Sequence, residues 1–134
     1  MKIASVTLSS NRESIIGDAL RSVSGWVDMA CILDLGITDG TLDVARGIMG
    51  DRIRVTKASD ILTTGQLRNI GNDFAFECGA DRAATLDTDE RINIRKGFDI
   101  RGYLEGMTHD CVVTQDAGRT YSKERFFRLP VITR

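Results

Sequence analysis

Short apolar runs alternate with amphipathic stretches along most of the chain, and this alternation limits the fold more than any other feature. Residues 2 to 8 form a strand-like run, after which Ser9-Ser10-Asn11 offers capping chemistry for a helix with Ile15, Ile16, Ala19, Leu20 and Val23 on one face. A second strand is predicted from Met29 to Leu33 and terminates at Asp34. The segment Leu35 to Thr41 then turns into a helix whose buried side includes Leu42, Ala45 and Met49. Ile53 to Thr56 is a third strand. From Thr63 to Cys78, the residues Leu67, Ile70, Gly71, Phe74, Ala75 and Cys78 keep the i, i+3, i+4, i+7 rhythm of an amphipathic helix. A fourth strand runs from Arg82 towards Asp87; beyond it, Phe98 to Met107 reads as helix, and Cys111 to Thr114 and Phe126 to Leu129 as strands. Such alternation predicts an α/β fold, with a mainly parallel sheet covered on both faces and right-handed crossovers.

The 134 residues are enough for one ordinary domain, taken as residues 1–134, and too few for two. Lys plus Arg (18) nearly balances Asp plus Glu (19), which argues against a polyanion-binding surface and so against nucleic acid as a partner. No apolar run approaches the roughly 20 residues of a membrane span. The N-terminus enters a strand pattern directly, with no signal-peptide pattern, and the expectation is a cytoplasmic protein. Cys31, Cys78 and Cys111 sit unpatterned among apolar residues, as reduced core thiols do.

Ligands of such sheets bind beyond the carboxyl ends of strands, where Asp34 and Asp87 are both expected. In Leu86-Asp87-Thr88-Asp89-Glu90 the two aspartates are one residue apart at the end of a strand. Alternation along that strand would aim both to one side and let them share a hard divalent cation. The triplet alone is weak, since 14 Asp in 134 residues make about one Asp-x-Asp expected by chance. Each candidate also has a competing structural role: turn formation for Asp34, helix capping for Asp39, a surface ion pair for Arg68, and solvation for Asp87 and Asp89. His109 is read as a loop residue and Trp26 as packing where the first helix returns to the sheet.

Four blocks in order give the chain a resemblance to family 2 glycosyltransferases, whose nucleotide-binding half has the GT-A fold. They are the first strand with Asn11-Arg12-Glu13; Leu33-Asp34-Leu35-Gly36-Ile37-Thr38-Asp39-Gly40-Thr41, similar to the family's Asp-x-Gly-Ser-Thr-Asp-Gly-Thr; Leu67-Arg68-Asn69, similar to Ala-Arg-Asn; and Leu86-Asp87-Thr88-Asp89-Glu90, matching the metal-binding Asp-x-Asp. Arg125-Phe126-Phe127-Arg128 weakly resembles a later Arg-Leu-Phe-Arg element. The resemblance implies a Rossmann-like GT-A three-layer sandwich that binds a nucleotide diphosphate sugar, in particular a UDP-sugar. Asp34 would accept from uracil N3–H, Arg68 would reach the base or diphosphate, Asp87 would contact the ribose or a bridging metal, and Asp89 would hold Mn2+ or Mg2+. It implies sugar transfer with inversion to an unknown acceptor: a saccharide, a lipid or a protein.

Two departures stand out. Ile37 replaces the Ser usual in the second block. The general base of inverting enzymes comes from the family's acceptor half, which lies beyond the point where this sequence ends; Asp110, Asp116 and Glu124 stand in no matching motif. The expectation is therefore a fold truncated at the C-terminus, with no base assigned, completed by another subunit or in a homo-oligomer. The alternatives are a non-catalytic nucleotide-binding module and a nucleotidyltransferase. The latter wants a glycine-rich basic loop after the first strand, where Leu8-Ser9-Ser10-Asn11-Arg12 supplies one cation and no glycine.

Overall fold

The computed structural model describes residues 1–118 and 121–131. The elements are β1 (Ile3–Ser9), α1 (Ile16–Val23), β2 (Met29–Asp34), α2 (Thr41–Met49), β3 (Ile53–Lys57), α3 (Thr64–Glu77), β4 (Arg82–Thr85), α4 (Ile100–Glu105), β5 (Cys111–Gln115) and β6 (Ser122–Arg128). Six strands form one sheet in the order β3-β2-β1-β4-β6-β5. The four strands β3, β2, β1 and β4 pair in parallel, while β6 runs antiparallel to both β4 and β5. The expected α/β fold with a mainly parallel sheet is therefore the observed one, and its exception is β6, which runs against the other five strands.

Period-2 alternation divides the core into two layers. Ile3, Ala30, Ile32, Ala84 and Phe126 point to one face, where α1 and α4 contribute Leu20, Val23, Ile100 and Leu104. Ala4, Val6, Met29, Cys31, Ala83 and Phe127 point to the other and meet Ala75 of α3. Strands buried on both sides must be apolar at every position, which is why β2 reads Met-Ala-Cys-Ile-Leu before Asp34 and is buried throughout. Trp26 packs edge-on to Phe126, ring centroids 6.4 Å apart, where α1 returns to the sheet.

Helix starts differ from expectation in one instructive case. Ser9, Ser10 and Asn11 do not cap α1, which begins at Ile16 with no side-chain cap. Asn11 instead ties the loop after β1 to the loop after β2: its Oδ1 accepts from the amides of Thr38 (2.8 Å) and Asp39 (3.2 Å), and its Nδ2 donates to Thr38 Oγ1 (3.0 Å). The Arg12 amide donates to Thr41 Oγ1 at 2.8 Å, closing the same seam. Asp39 does serve the start of α2, where its Oδ1 accepts from the Thr41 amide (2.9 Å) and hydroxyl. Helix α3 opens on a capping box: Thr63 Oγ1 accepts from the Gln66 amide and Gln66 Oε1 from the Thr63 amide.

Candidate functional site

The carboxyl ends of β1, β2 and β4 lie side by side, because Ser9 is in register with Asp34 and Val6 with Thr85. Backbone bonds carry this alignment into the loops: the Leu35 amide donates to Ser9 O and the Leu86 amide to Val6 O. Two neighbouring cavities open there, of about 390 and 340 Å³, and Asp87 and Asp89 line both. Arg68 and Lys123 border the first; Arg12, Ile15 and Leu35 border the second.

The two aspartates reach these cavities by a route other than strand alternation. Strand β4 ends at Thr85, so neither aspartate belongs to it. Residues 87–90 instead form a turn in which the Glu90 amide donates to Asp87 O at 3.0 Å and Glu90 Oε1 accepts from the Asp87 amide at 2.8 Å. The turn brings both carboxylates to one rim. The same-side placement argued from the strand's period is thus corrected to a placement by the turn that follows it.

Their electrostatic surroundings differ. Asp87 Oδ2 accepts from Lys123 Nζ at 2.6 Å, and Oδ1 stands 3.5 Å from Arg68 Nη2. Arg68 projects from the first turns of α3 with its side chain 28% exposed. Glu90 takes the Arg125 guanidinium on both oxygens (2.9 and 3.0 Å) and Lys123 Nζ at 2.7 Å. Burial by itself would raise the pKa of Glu90, but Arg125, Lys123 and the Asp87 amide outweigh it and hold the group at about 2. The nearby Glu90 carboxylate in turn raises the phenol pKa of Tyr121, on the rim of the larger cavity. Asp89 is exposed and pairs with no cation among the described residues.

Asp34 stands apart from this cluster. It is 7% exposed at the end of β2 and lines neither cavity. Its Oδ1 accepts from the amides of Ile37 (2.6 Å) and Gly36 (2.9 Å); these bonds, with Ile37 the stronger influence, lower its pKa against the opposing effect of burial. Gly36 has φ +113, a conformation that L side chains rarely adopt, so this turn requires glycine. Asp34 therefore performs the turn role, and none of these bonds uses its Oδ2.

Of the expected site residues, Arg68, Asp87 and Asp89 come together, and Asp34 lies apart at the end of β2, with β1 between it and β4. Glu90 and Lys123 were not singled out from the sequence, and Arg125 appeared there only within a weak block. Lys123 and Arg125 are two positions apart on β6 and share a strand face, a signal that exists in the sequence but names no partner. Asp110, Asp116 and Glu124 line neither cavity. Asp110 pairs with Arg128 at 3.3 Å, Asp116 accepts from the Tyr121 amide, and Glu124 is exposed. His109 is also exposed.

The described residues contain no group of three or more His, Cys, Asp or Glu placed to cage a metal ion. They also contain no helix long and apolar enough to cross a membrane.

The strand order, the two covering layers and the loop cluster at the carboxyl ends define a GT-A-like α/β fold. No protein-family model matches the sequence, and neither does any curated protein. Solved structures do. S. aureus TarS in complex with UDP superposes with a TM-score of 0.67 at 19% identity, over 86% of this chain and 35% of that one. The galactosyltransferase LgtC, in complex with donor and acceptor sugar analogs, gives a TM-score of 0.56 at 18% identity, over 84% and 45%. The apo-form glycosyltransferase GlyE of Streptococcus pneumoniae TIGR4 gives 0.58 at 15%, over 96% and 34%. At these identities the likeness is one of fold, and the chain spans about a third of the lengths of TarS and GlyE.

Proposed function

We propose that this chain is the donor-binding part of a glycosyltransferase of the family 2 type, which holds a nucleotide diphosphate sugar, a UDP-sugar, across the two cavities at the carboxyl ends of β1 and β4. The observation that carries this reading is the convergence of Arg68, Asp87 and Asp89 on one rim from two separate elements. The fold it shares with TarS, whose structure holds UDP, supports the same reading. The smaller cavity sets the apolar side chains of Leu8, Ile15 and Leu35 among its polar groups, a surface against which a base could lie, and Arg12 and Arg68 offer cations for phosphate.

The residues fit a divalent ion that arrives with the nucleotide better than one caged by protein alone. Asp89 supplies one open hard-oxygen ligand, and Mg2+ is commonly held by one or two carboxylates together with substrate phosphates. Charge points the same way. Asp87 and Glu90 pair with Arg68, Lys123 and Arg125, and Asp89, unpaired among the described residues, brings the cluster to formal neutrality, so it lacks the surplus positive charge that a diphosphate needs beyond Arg12 of the second cavity. Bound Mn2+ or Mg2+ would supply that surplus and stabilise the leaving nucleoside diphosphate. Asp34, held in its turn, would meet a uracil only through Oδ2. Inversion at the sugar requires a base, which this reading draws from an acceptor-binding part outside the described residues.

Calorimetric titration with UDP, GDP and ADP, with and without Mn2+, tests the proposal. UDP should bind in the presence of Mn2+, and Asp89→Ala should weaken that binding by at least about tenfold, ~1.4 kcal/mol. Failure of all three nucleotides under every condition would overturn the donor-site reading. Binding unchanged by Asp89→Ala would remove only the metal assignment.

A further inference from the structure

Lys123 occupies an unusual place for a lysine beside a nucleotide pocket: it faces the carboxylates rather than the opening. Its side chain is 11% exposed, and Nζ lies 2.6 Å from Asp87 Oδ2 and 2.7 Å from Glu90 Oε1. An ammonium bridging two carboxylate oxygens engages the same ligand atoms that a hard cation seeks, roughly 0.5 Å farther out than Mg2+ would hold them. The remaining oxygens are also engaged. Asp87 Oδ1 stands beside Arg68, and both oxygens of Glu90 are taken by Arg125. For Asp87 to turn to a metal ion it would have to release Lys123, leaving a largely buried ammonium with half its compensation.

We propose that Lys123 is a built-in competitor of the divalent ion, which occupies Asp87 in the empty pocket so that metal binds only together with a nucleoside diphosphate. The inference rests on the donor-site reading above and adds a reason for ordered loading. Without nucleotide, Asp89 is the one open carboxylate among the described residues lining the larger cavity, too little to retain Mn2+ against water. A diphosphate changes both sides of the competition. Its oxygens complete the ion's coordination, and they accept hydrogen bonds from the Lys123 ammonium, which then gives up Asp87. Metal and nucleotide thereby favour each other, and linkage makes that effect reciprocal. Lys123 acts here as a positioning residue, through Asp87, and not as a group that attacks substrate.

The decisive measurement is titration of the protein with Mn2+ alone, without nucleotide. Wild type should bind weakly, whereas Lys123→Met should bind at least about tenfold more tightly because Asp87 is released. Lys123→Arg, which keeps the charge, should stay as weak as wild type. The ratio of Mn2+ affinities with and without UDP should shrink in Lys123→Met by a similar factor. Tight nucleotide-free Mn2+ binding by wild type would overturn the proposal, and so would an unchanged affinity in a folded Lys123→Met. If Lys123→Met does not fold, the ammonium resonance of Lys123, assigned through Lys123→Arg, settles the matter in wild type. It should move on adding UDP with Mg2+ and stay in place with Mg2+ alone; any other response overturns the proposal. Because the Mn2+ titration uses no nucleotide, its outcome is separate from failure of UDP to bind, which would fault the donor-site reading instead.

Discussion

Glu90 shows how a single carboxylate can tie a site to the stability of the chain. It receives the forked guanidinium of Arg125, the Lys123 ammonium and the Asp87 amide, and its pKa is held at about 2 against an ordinary 4.5. A depressed acid pKa means that the folded state releases the proton more readily than the unfolded one. The resulting stability is fully present above about pH 4.5 and disappears as the pH falls towards 2. From that difference the contribution is on the order of 3 kcal/mol. Urea unfolding followed from pH 7 down to pH 2 should show it: wild type loses stability through this window, and Glu90→Gln is less stable at pH 7 with a flatter acid slope. Equal slopes would show that Glu90 is not held as described. The sequence marked Asp87, Asp89 and Arg68 because their residue types and order carry chemistry by themselves. It did not mark Glu90 and Lys123, since their meaning depends on a contact between positions 33 apart that only the pairing of β4 with β6 creates.

At the scale of elements, the approach of α3 to the sheet is set by Gly71. A Cβ built there would lie 2.6 Å from Val6 Cγ1, closer than real contacts allow, and Val6 is a buried branched side chain with little room to yield. Gly71→Ala should therefore destabilise the protein by about 1–3 kcal/mol, although alanine favours a helix by up to ~1 kcal/mol. A rise in melting temperature for this variant would mean that α3 is not seated on β1 as closely as described. The helix carries Arg68, so the same substitution should also weaken UDP binding in the titration above. Its periodicity was readable, as Leu67, Gly71 and Ala75 are buried as expected, yet Ile70, Phe74 and Cys78 of the same stripe are only partly covered. The reason is geometric: a helix touches a flat sheet along a narrower line than the apolar face it offers. Strands β5 and β6 were read as short runs with no direction, because a single sequence does not disclose whether the chain reverses or crosses over between them. The Asn11 seam was misread for a related reason. Short polar residues serve equally as helix caps or as loop ties, and the deciding partner, Thr38, is 27 positions away.

At the scale of the molecule, the pocket depends on both layers at once. Arg68 comes from the layer of α3, whereas Asp87 and Lys123 come from the sheet and its rim, so the geometry survives only if the layers do not open separately. The strands argue that they do not, since β1, β2, β4 and β6 each place alternate residues in both cores. Two native probes report the layers independently. Trp26 lies with Phe126 on the α1 side, and Cys31, fully buried, faces α3; burial chiefly, with Cys78 adding, raises its thiol pKa to about 12, so it reacts only when that layer opens. In a Cys78→Ser, Cys111→Ser background, urea midpoints from Trp26 fluorescence and from Cys31 labelling should coincide, as a cooperative domain requires. Saturating UDP with Mn2+ should then raise both midpoints together, reflecting about 2.7 kcal/mol of added stability at a hundredfold excess over Kd. Labelling of Cys31 well before the fluorescence change would show that α3 detaches alone. A nucleotide effect confined to one probe would place the ligand on a single layer, contrary to a site that spans α3 and the sheet.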